Sequence, residues 1–142
     1  MSQIYTTTVY WEGEHWGKIT MGNGPEMKFS APPDAHGHEN VLTPEDAFVG
    51  SLNTCYMMMF LWACERFKVE LINYSCSAKG EKVIFLDRTE RFVTITLMPR
   101  IEVKKATREK IEKLLKIAEK YSLVANSIKS KLIIVPIIDI HN

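Results

Sequence analysis

No run of lysine or arginine marks this chain of 142 residues; Lys and Arg total 18 against 17 Asp and Glu, a formal net charge of +1. The basic stripe of a nucleic-acid binder is missing, and no nucleic-acid partner is expected. The opening Met1-Ser2-Gln3-Ile4-Tyr5-Thr6 lacks the basic-then-apolar layout of a secretory leader. Cysteine is scarce and odd in number, with only Cys55, Cys64 and Cys76 and no scaffold spacing. Without an export signal these read as reduced thiols of a cytoplasmic protein. His36 and His38 stand near Asp34 and Glu39, but no second cluster completes four ligands, so no metal and no other cofactor is expected. Repeats and long linkers are absent as well. One domain over 1–142 is expected, large enough to bury roughly 68–70% of its unfolded surface.

What the chain has is one long apolar segment. Residues 48–64 are almost wholly hydrophobic, yet shorter than the ~20 residues of a membrane span and carrying Ser51, Asn53 and Thr54. A buried helix over Pro44–Arg66 is the reading, with no membrane partner. Thr43 is its N-cap, Pro44 its first residue, and Glu45 and Asp46 lie on the positive end of the dipole. Strands are expected over Ile4–Trp11, Gly17–Met21 and Glu26–Ser30, the last two joined through Gly22-Asn23-Gly24. A loop over Ala31–Leu42 precedes the helix. A strand follows over Val69–Ala78, then a turn at Lys79-Gly80-Glu81-Lys82 into Val83–Phe85. Alternation of Val93, Ile95 and Leu97 marks a half-buried strand over Arg91–Met98. Thr107 opens a second helix whose stripe Ile111, Leu115, Ala118 would reach Ser122. Lys131–Ile140 is an apolar strand broken by Pro136, which suggests a bulge or an edge. The order is that of an α+β protein. The first helix is apolar on nearly all faces, and covering all of them calls for a second helix and a partner chain.

Cys55 lies midway along the apolar helix. It reads either as a small core filler beside Phe48, Leu52 and Met59 or as a shielded nucleophile; burial alone raises a thiol's pKa, so a reactive thiol there needs a compensating charge. Cys55 and Cys64 lie on opposite faces of a straight helix, about 13 Å apart along its axis, too far to pair. Glu45 precedes Cys55 by ten residues, about 15 Å of helical rise. It is either a dipole-stabilising first-turn acid or a catalytic acid that reaches Cys55 through a helix break, a long cation or a partner subunit. Aromatic residues Trp11, Trp16, Phe60 and Trp62 read as core or dimer interface and as candidate lining for an apolar pocket.

The loop Ala35-His36-Gly37 running to Leu42-Thr43-Pro44-Glu45-Asp46, the placement of Cys55 ten residues after Glu45, and the segment Lys120-Tyr121-Ser122-Leu123-Val124-Ala125-Asn126-Ser127 together resemble the OsmC/Ohr family (osmotically inducible protein C and organic hydroperoxide resistance proteins). The resemblance extends over the whole chain in the order of its strands and helices. It implies an intertwined homodimer with two central helices wrapped by antiparallel-type sheets. It also implies reduction of organic hydroperoxides, in which a first cysteine, at Cys55 here, becomes a sulfenic acid. A second cysteine then condenses with it, and a dithiol restores the pair. An arginine of the first hairpin, oriented by the glutamate at Glu45, activates the first thiol in that family.

Two departures stand out. Ser122 occupies the position of the second cysteine, and a hydroxyl cannot resolve a sulfenic acid. No arginine precedes Arg66, so Lys18 is the candidate pocket cation, with His15 nearby; lysine does not reproduce arginine's bidentate pairing with a carboxylate. Two functions follow from the resemblance. One is a one-cysteine reductase of organic hydroperoxides that uses Cys55 and Glu45 and an external thiol. The other is a non-redox member binding a small hydrophobic or thiol-bearing ligand at the dimer interface.

Overall fold

The turn chemistry of the first fifty residues builds a three-stranded antiparallel meander, β1 (Thr7–Trp11), β2 (Trp16–Met21) and β3 (Glu26–Ser30). The computed structural model describes all residues from Met1 to Asn142, and its contacts divide the chain into two compact units, Met1–Phe48 and Val49–Asn142. In the first unit, Gly24 takes φ +117°, open only to glycine at low cost, and its N–H reaches the Met21 carbonyl to close the β2–β3 hairpin. The first strand begins at Thr7, three residues later than its composition suggests. Every residue of β1 is exposed. Ala31–Leu42 is a loop with one short 3-10 turn, Pro33–Ala35, and its end is tied back by Ser30 N–H to Leu42 O at 3.0 Å. Gly37 is obligatory there, because a Cβ would fall 1.5 Å from the Ala31 carbonyl oxygen.

Helix α1 (Pro44–Arg66) has the expected bounds and is unbroken at Gly50-Ser51. Thr43 Oγ1 accepts from Asp46 N–H and donates to Asp46 Oδ2, both at 3.1 Å, a reciprocal cap. At the other end Lys68 turns left-handed at φ 57°, with Val69 N–H bonded to Cys64 O and Lys68 N–H to Glu65 O. That is a Schellman ending with a lysine where glycine is preferred. Lys68→Gly removes the Cβ strain and is expected to raise stability by about 1 kcal/mol, measurable as a higher urea midpoint at unchanged m-value. By length and composition α1 could cross a membrane; here its Leu52, Tyr56, Phe60, Ala63 and Cys64 are buried in the protein core.

The second unit packs α1 and α2 (Arg108–Tyr121) with a sheet of β4 (Glu70–Ile84), β5 (Glu90–Lys104), β6 (Lys131–Ile134) and β7 (Ile137–His141). Ile95, Leu97, Ile101 and Val103 of β5 and Ile111, Leu114, Leu115 and Ala118 of α2 close the core with those of α1. Thr107 caps α2 through Lys110 N–H.

Two expectations are corrected. Lys79–Lys82 is no turn: β4 runs through it, pairing Gly80 with Ile95, and the reversal falls at Phe85–Thr89, where Asp87 Oδ1 takes both the N–H and the hydroxyl of Thr89. Gly80 serves packing instead, since a Cβ there would meet Val49 at 2.8 Å and Phe92 at 3.0 Å. The sheet is also not purely antiparallel, because β6 and β7 both pair with β5 in parallel. Pro136 interrupts this edge as expected. The gap lies opposite Met98–Pro99 of β5, so two prolines without N–H groups face the same break.

Candidate functional site

Cys55 and Ser122, 67 positions apart in sequence, are brought together in the second unit. The Ser122 hydroxyl donates to Cys55 Sγ at 3.3 Å. The core-facing stripe of α2 places it there: Ser122 follows Ala118 by one turn and is fully buried as the C-cap residue. The segment after it bonds both the side chain and the backbone of Ser122. Ala125 N–H donates to Ser122 Oγ at 3.1 Å, Asn126 N–H to Ser122 O at 3.0 Å, and Asn126 Nδ2 to both Ser122 O and Lys120 O at 2.9 Å. With Ala125 N–H on its oxygen, the hydroxyl directs its proton to sulfur.

α1 supplies Cys55 and anchors it one residue on. Tyr56 is fully buried and its hydroxyl donates to Leu115 O at 3.0 Å, which ties α1 to α2 beside the thiol; burial holds the phenol far above its ordinary range. Cys55 itself is partly buried.

The other thiols differ. Cys64 is buried, and burial, then the charge of Glu65, pushes it up to about 11. A thiol that titrates higher in the folded chain than in the unfolded one stabilises the fold fully below pH 9, and that stability is lost as pH rises through about 11. Cys64→Ala should therefore flatten the decline in urea stability over that window by about 2–3 kcal/mol. Cys76 lies on β4, raised by burial against opposing hydrogen bonds from Tyr74 and Met98. All three cysteines are free thiols.

Glu45 and Lys18 belong to the first unit, and they do not pair. Lys18 Nζ sits 5.3 Å over the Tyr10 ring, whereas Glu45 Oε1 is buried without a hydrogen-bond partner. No group of three or more His, Cys, Asp or Glu side chains gathers around a metal-sized space. Cys55 stood out by its place in the apolar helix and Ser122 by the family resemblance; neither showed that Ser122 would be a hydrogen-bond donor to sulfur with Ala125 N–H on its oxygen, which the folded loop supplies.

A thiol on a partly buried residue, hydrogen-bonded to a buried hydroxyl on two packed helices against a mixed sheet, describes an α+β protein with a candidate thiol site. The chain belongs to the OsmC family, whose model, described as OsmC-like protein, matches residues 37–135. Its fold is similar to that of an OsmC-like protein of unknown function from Vibrio cholerae, at TM-score 0.88 and 21% identity, covering 96% of this chain and 100% of that one. It is also similar to an organic hydroperoxide resistance protein from Elizabethkingia anophelis (TM-score 0.73, 15% identity, 99% and 100% covered) and to the organic hydroperoxide resistance protein OhrB of Bacillus subtilis (0.63, 16%, 94% and 97%). No curated protein matches by sequence.

Proposed function

We propose that this OsmC-like chain is a one-cysteine, thiol-dependent reductase of organic hydroperoxides, acting in the reducing cytoplasm in defence against oxidative stress. The observation that carries the reading is the Ser122 Oγ–Cys55 Sγ hydrogen bond of 3.3 Å in a family whose solved members include organic hydroperoxide resistance proteins. The Cys55 thiolate attacks the outer peroxide oxygen. An S–O bond forms, the O–O bond breaks, and the alkoxide leaves as an alcohol after taking a proton. The peroxide is reduced by two electrons and Cys55 becomes a sulfenic acid. Ser122 donates to the sulfenate but cannot displace its oxygen. An external thiol therefore attacks sulfur and releases water, and a second thiol frees Cys55 as an external disulfide forms. Glu45 is the acid whose buried, unpartnered oxygen awaits a cation. Lys18, held over Tyr10, is a poor candidate within its own unit.

The working form in this reading is a homodimer of one OsmC-like domain, residues 1–142. The family match starts at residue 37, in the last quarter of the first unit, and runs through most of the second. Met58 on α1 is 54% exposed and β1 displays Val9, Tyr10 and Trp11, apolar surface that a second copy would bury.

The unpaired Glu45 favours a second reading, a non-redox member that binds a small hydrophobic or thiol-bearing ligand. One experiment separates the two. The reduced protein is treated with stoichiometric cumene hydroperoxide and a sulfenic-acid trap, and its intact mass is taken. Rapid single-site labelling at Cys55 is expected; labelling as slow as that of buried Cys64 would leave only the binding reading.

A further inference from the structure

The β4–β5 hairpin ends in three consecutive apolar residues, Ile84 at 63% exposure, Phe85 at 39% and Leu86 wholly in solvent. A turn needs none of them, since polar residues and glycine reverse a chain as well. The reversal that presents them is firmly bonded: Phe85 N–H donates to Thr89 O at 2.8 Å and Arg88 N–H to Phe85 O at 2.9 Å. β6 pairs with β5 only from Thr94 onward, so the hairpin's end is a two-stranded ribbon that outreaches the third strand. Its base is ringed by cations. The Arg91 guanidinium lies 5.4 Å from the Phe85 ring, and Arg88 is in the turn itself. Ser130 Oγ donates to Phe92 O at 2.6 Å and Lys131 pairs with Thr94. Lys129 and Lys131 therefore flank β5 within about 7–14 Å of Glu90, the hairpin's last paired residue. Arg88, Arg91, Lys129 and Lys131 form no ion pair with a carboxylate. Over 81–91 and 129–131 five cations stand against three acids. Two of those acids are engaged, Glu90 by Lys82 at 2.7 Å and Asp87 by the Thr89 N–H and hydroxyl. The tip is also far from Met58, the α1 residue given to the proposed dimer. Asn53 Nδ2 bonds Cys76 O and the Phe60 ring packs on Tyr74, so Met58 stands level with residues 74–76 of β4, about 25 Å along the strand from Ile84.

An apolar tip inside a collar of unpaired cations complements a surface that is anionic outside and apolar just beneath, which is the interface of a bilayer rich in acidic lipids. We propose that the β4–β5 hairpin tip docks the protein on an anionic membrane surface, Ile84 and Leu86 entering the headgroup boundary while Arg88, Arg91, Lys129 and Lys131 meet lipid phosphates. Asp87 stays charged between them, which holds the tip at headgroup depth and out of the hydrocarbon. Attachment is at the surface, and nothing spans the bilayer. The inference stands apart from the hydroperoxide reading, because no group of the thiol site takes part in it.

The test sediments the full-length protein with vesicles of phosphatidylcholine alone and of two parts phosphatidylcholine to one of phosphatidylglycerol. Partitioning onto the anionic vesicles is expected to be at least about tenfold stronger, and to fall in high salt. Leu86→Ser should weaken it by about tenfold or more, and Arg88→Gln by about fivefold. Arg100→Gln, remote from the tip on β5, should leave it unchanged. Ile84 and Leu86 are exposed, so their serine variants should keep the parent's urea midpoint and, by ultracentrifugation, its oligomeric state. Failure of the parent to bind anionic vesicles overturns the inference, as does equal binding to both kinds of vesicle or undiminished binding by Leu86→Ser. A smaller oligomer in Leu86→Ser than in the parent overturns it too, because the tip would then be covered by a second copy of the chain.

Discussion

Cys55→Ser is expected to abolish consumption of organic hydroperoxide, a loss on the order of 10³-fold or more in second-order rate, while the folded chain and its oligomeric state persist. The expectation rests on chemistry and on placement together. A serine hydroxyl does not attack a peroxide oxygen, and neither other thiol can take over: Cys64 is buried with its proton held up to about 11, and Cys76 is likewise raised by burial on β4. Structurally the exchange is mild. Cys55 is half-buried, and a serine there can keep a hydrogen bond with Ser122, so stability should move by no more than about 1 kcal/mol. Peroxide loss followed by a ferrous-oxidation assay, with the oligomer checked by ultracentrifugation, reads both halves. Undiminished consumption by the variant would remove Cys55 from the mechanism and with it the one-cysteine reading.

How much of this could be read beforehand differs sharply between elements. Helix α1 was legible to the residue, because Thr43-Pro44-Glu45-Asp46 is a start signal whose cap is local and Thr43 makes both hydrogen bonds within one turn. The β5 alternation was legible too, as one face of the strand is core. β4 was misread at Gly80, where glycine looks the same in sequence whether it turns the chain or makes room for Val49 and Phe92; only the fold tells these apart. The parallel pairing of β6 and β7 with β5 was invisible for a related reason: strand direction is set by the route of the chain after α2, not by any residue in the strand. At the site, the Cys55–Ser122 pairing followed from a helical stripe and a family position. What the stripe lacked was the 122–127 loop, whose hydrogen bonds turn Ser122 from a passive replacement into an oriented donor.

That orientation makes Ser122→Cys the most informative gain-of-function change. Ser122 Oγ already stands 3.3 Å from Cys55 Sγ, and a disulfide requires about 2.05 Å between sulfurs, a gap that the longer C–S bond and a small rotamer adjustment can close. On oxidation of the variant, the Cys55 sulfenic acid would be attacked by the new thiol, water would leave, and a disulfide would bridge 67 residues. The parent loses one titratable thiol to peroxide and is labelled by a sulfenic-acid trap; the variant should lose two and escape the trap. A loop of that length constrains the unfolded chain enough to stabilise the oxidised variant by about 4 kcal/mol before strain is subtracted. Its urea midpoint should rise on oxidation and fall back with dithiothreitol. In the reduced state the larger sulfur sits in a fully buried position and should cost about 1 kcal/mol. Turnover should shift as well, from dependence on monothiols toward a dithiol that opens the bridge in one encounter. If the oxidised variant still carries a trappable sulfenic acid and gains no stability, then the two side chains do not approach in solution as they do in the structure. Ser122 would then have no place beside the reacting sulfur.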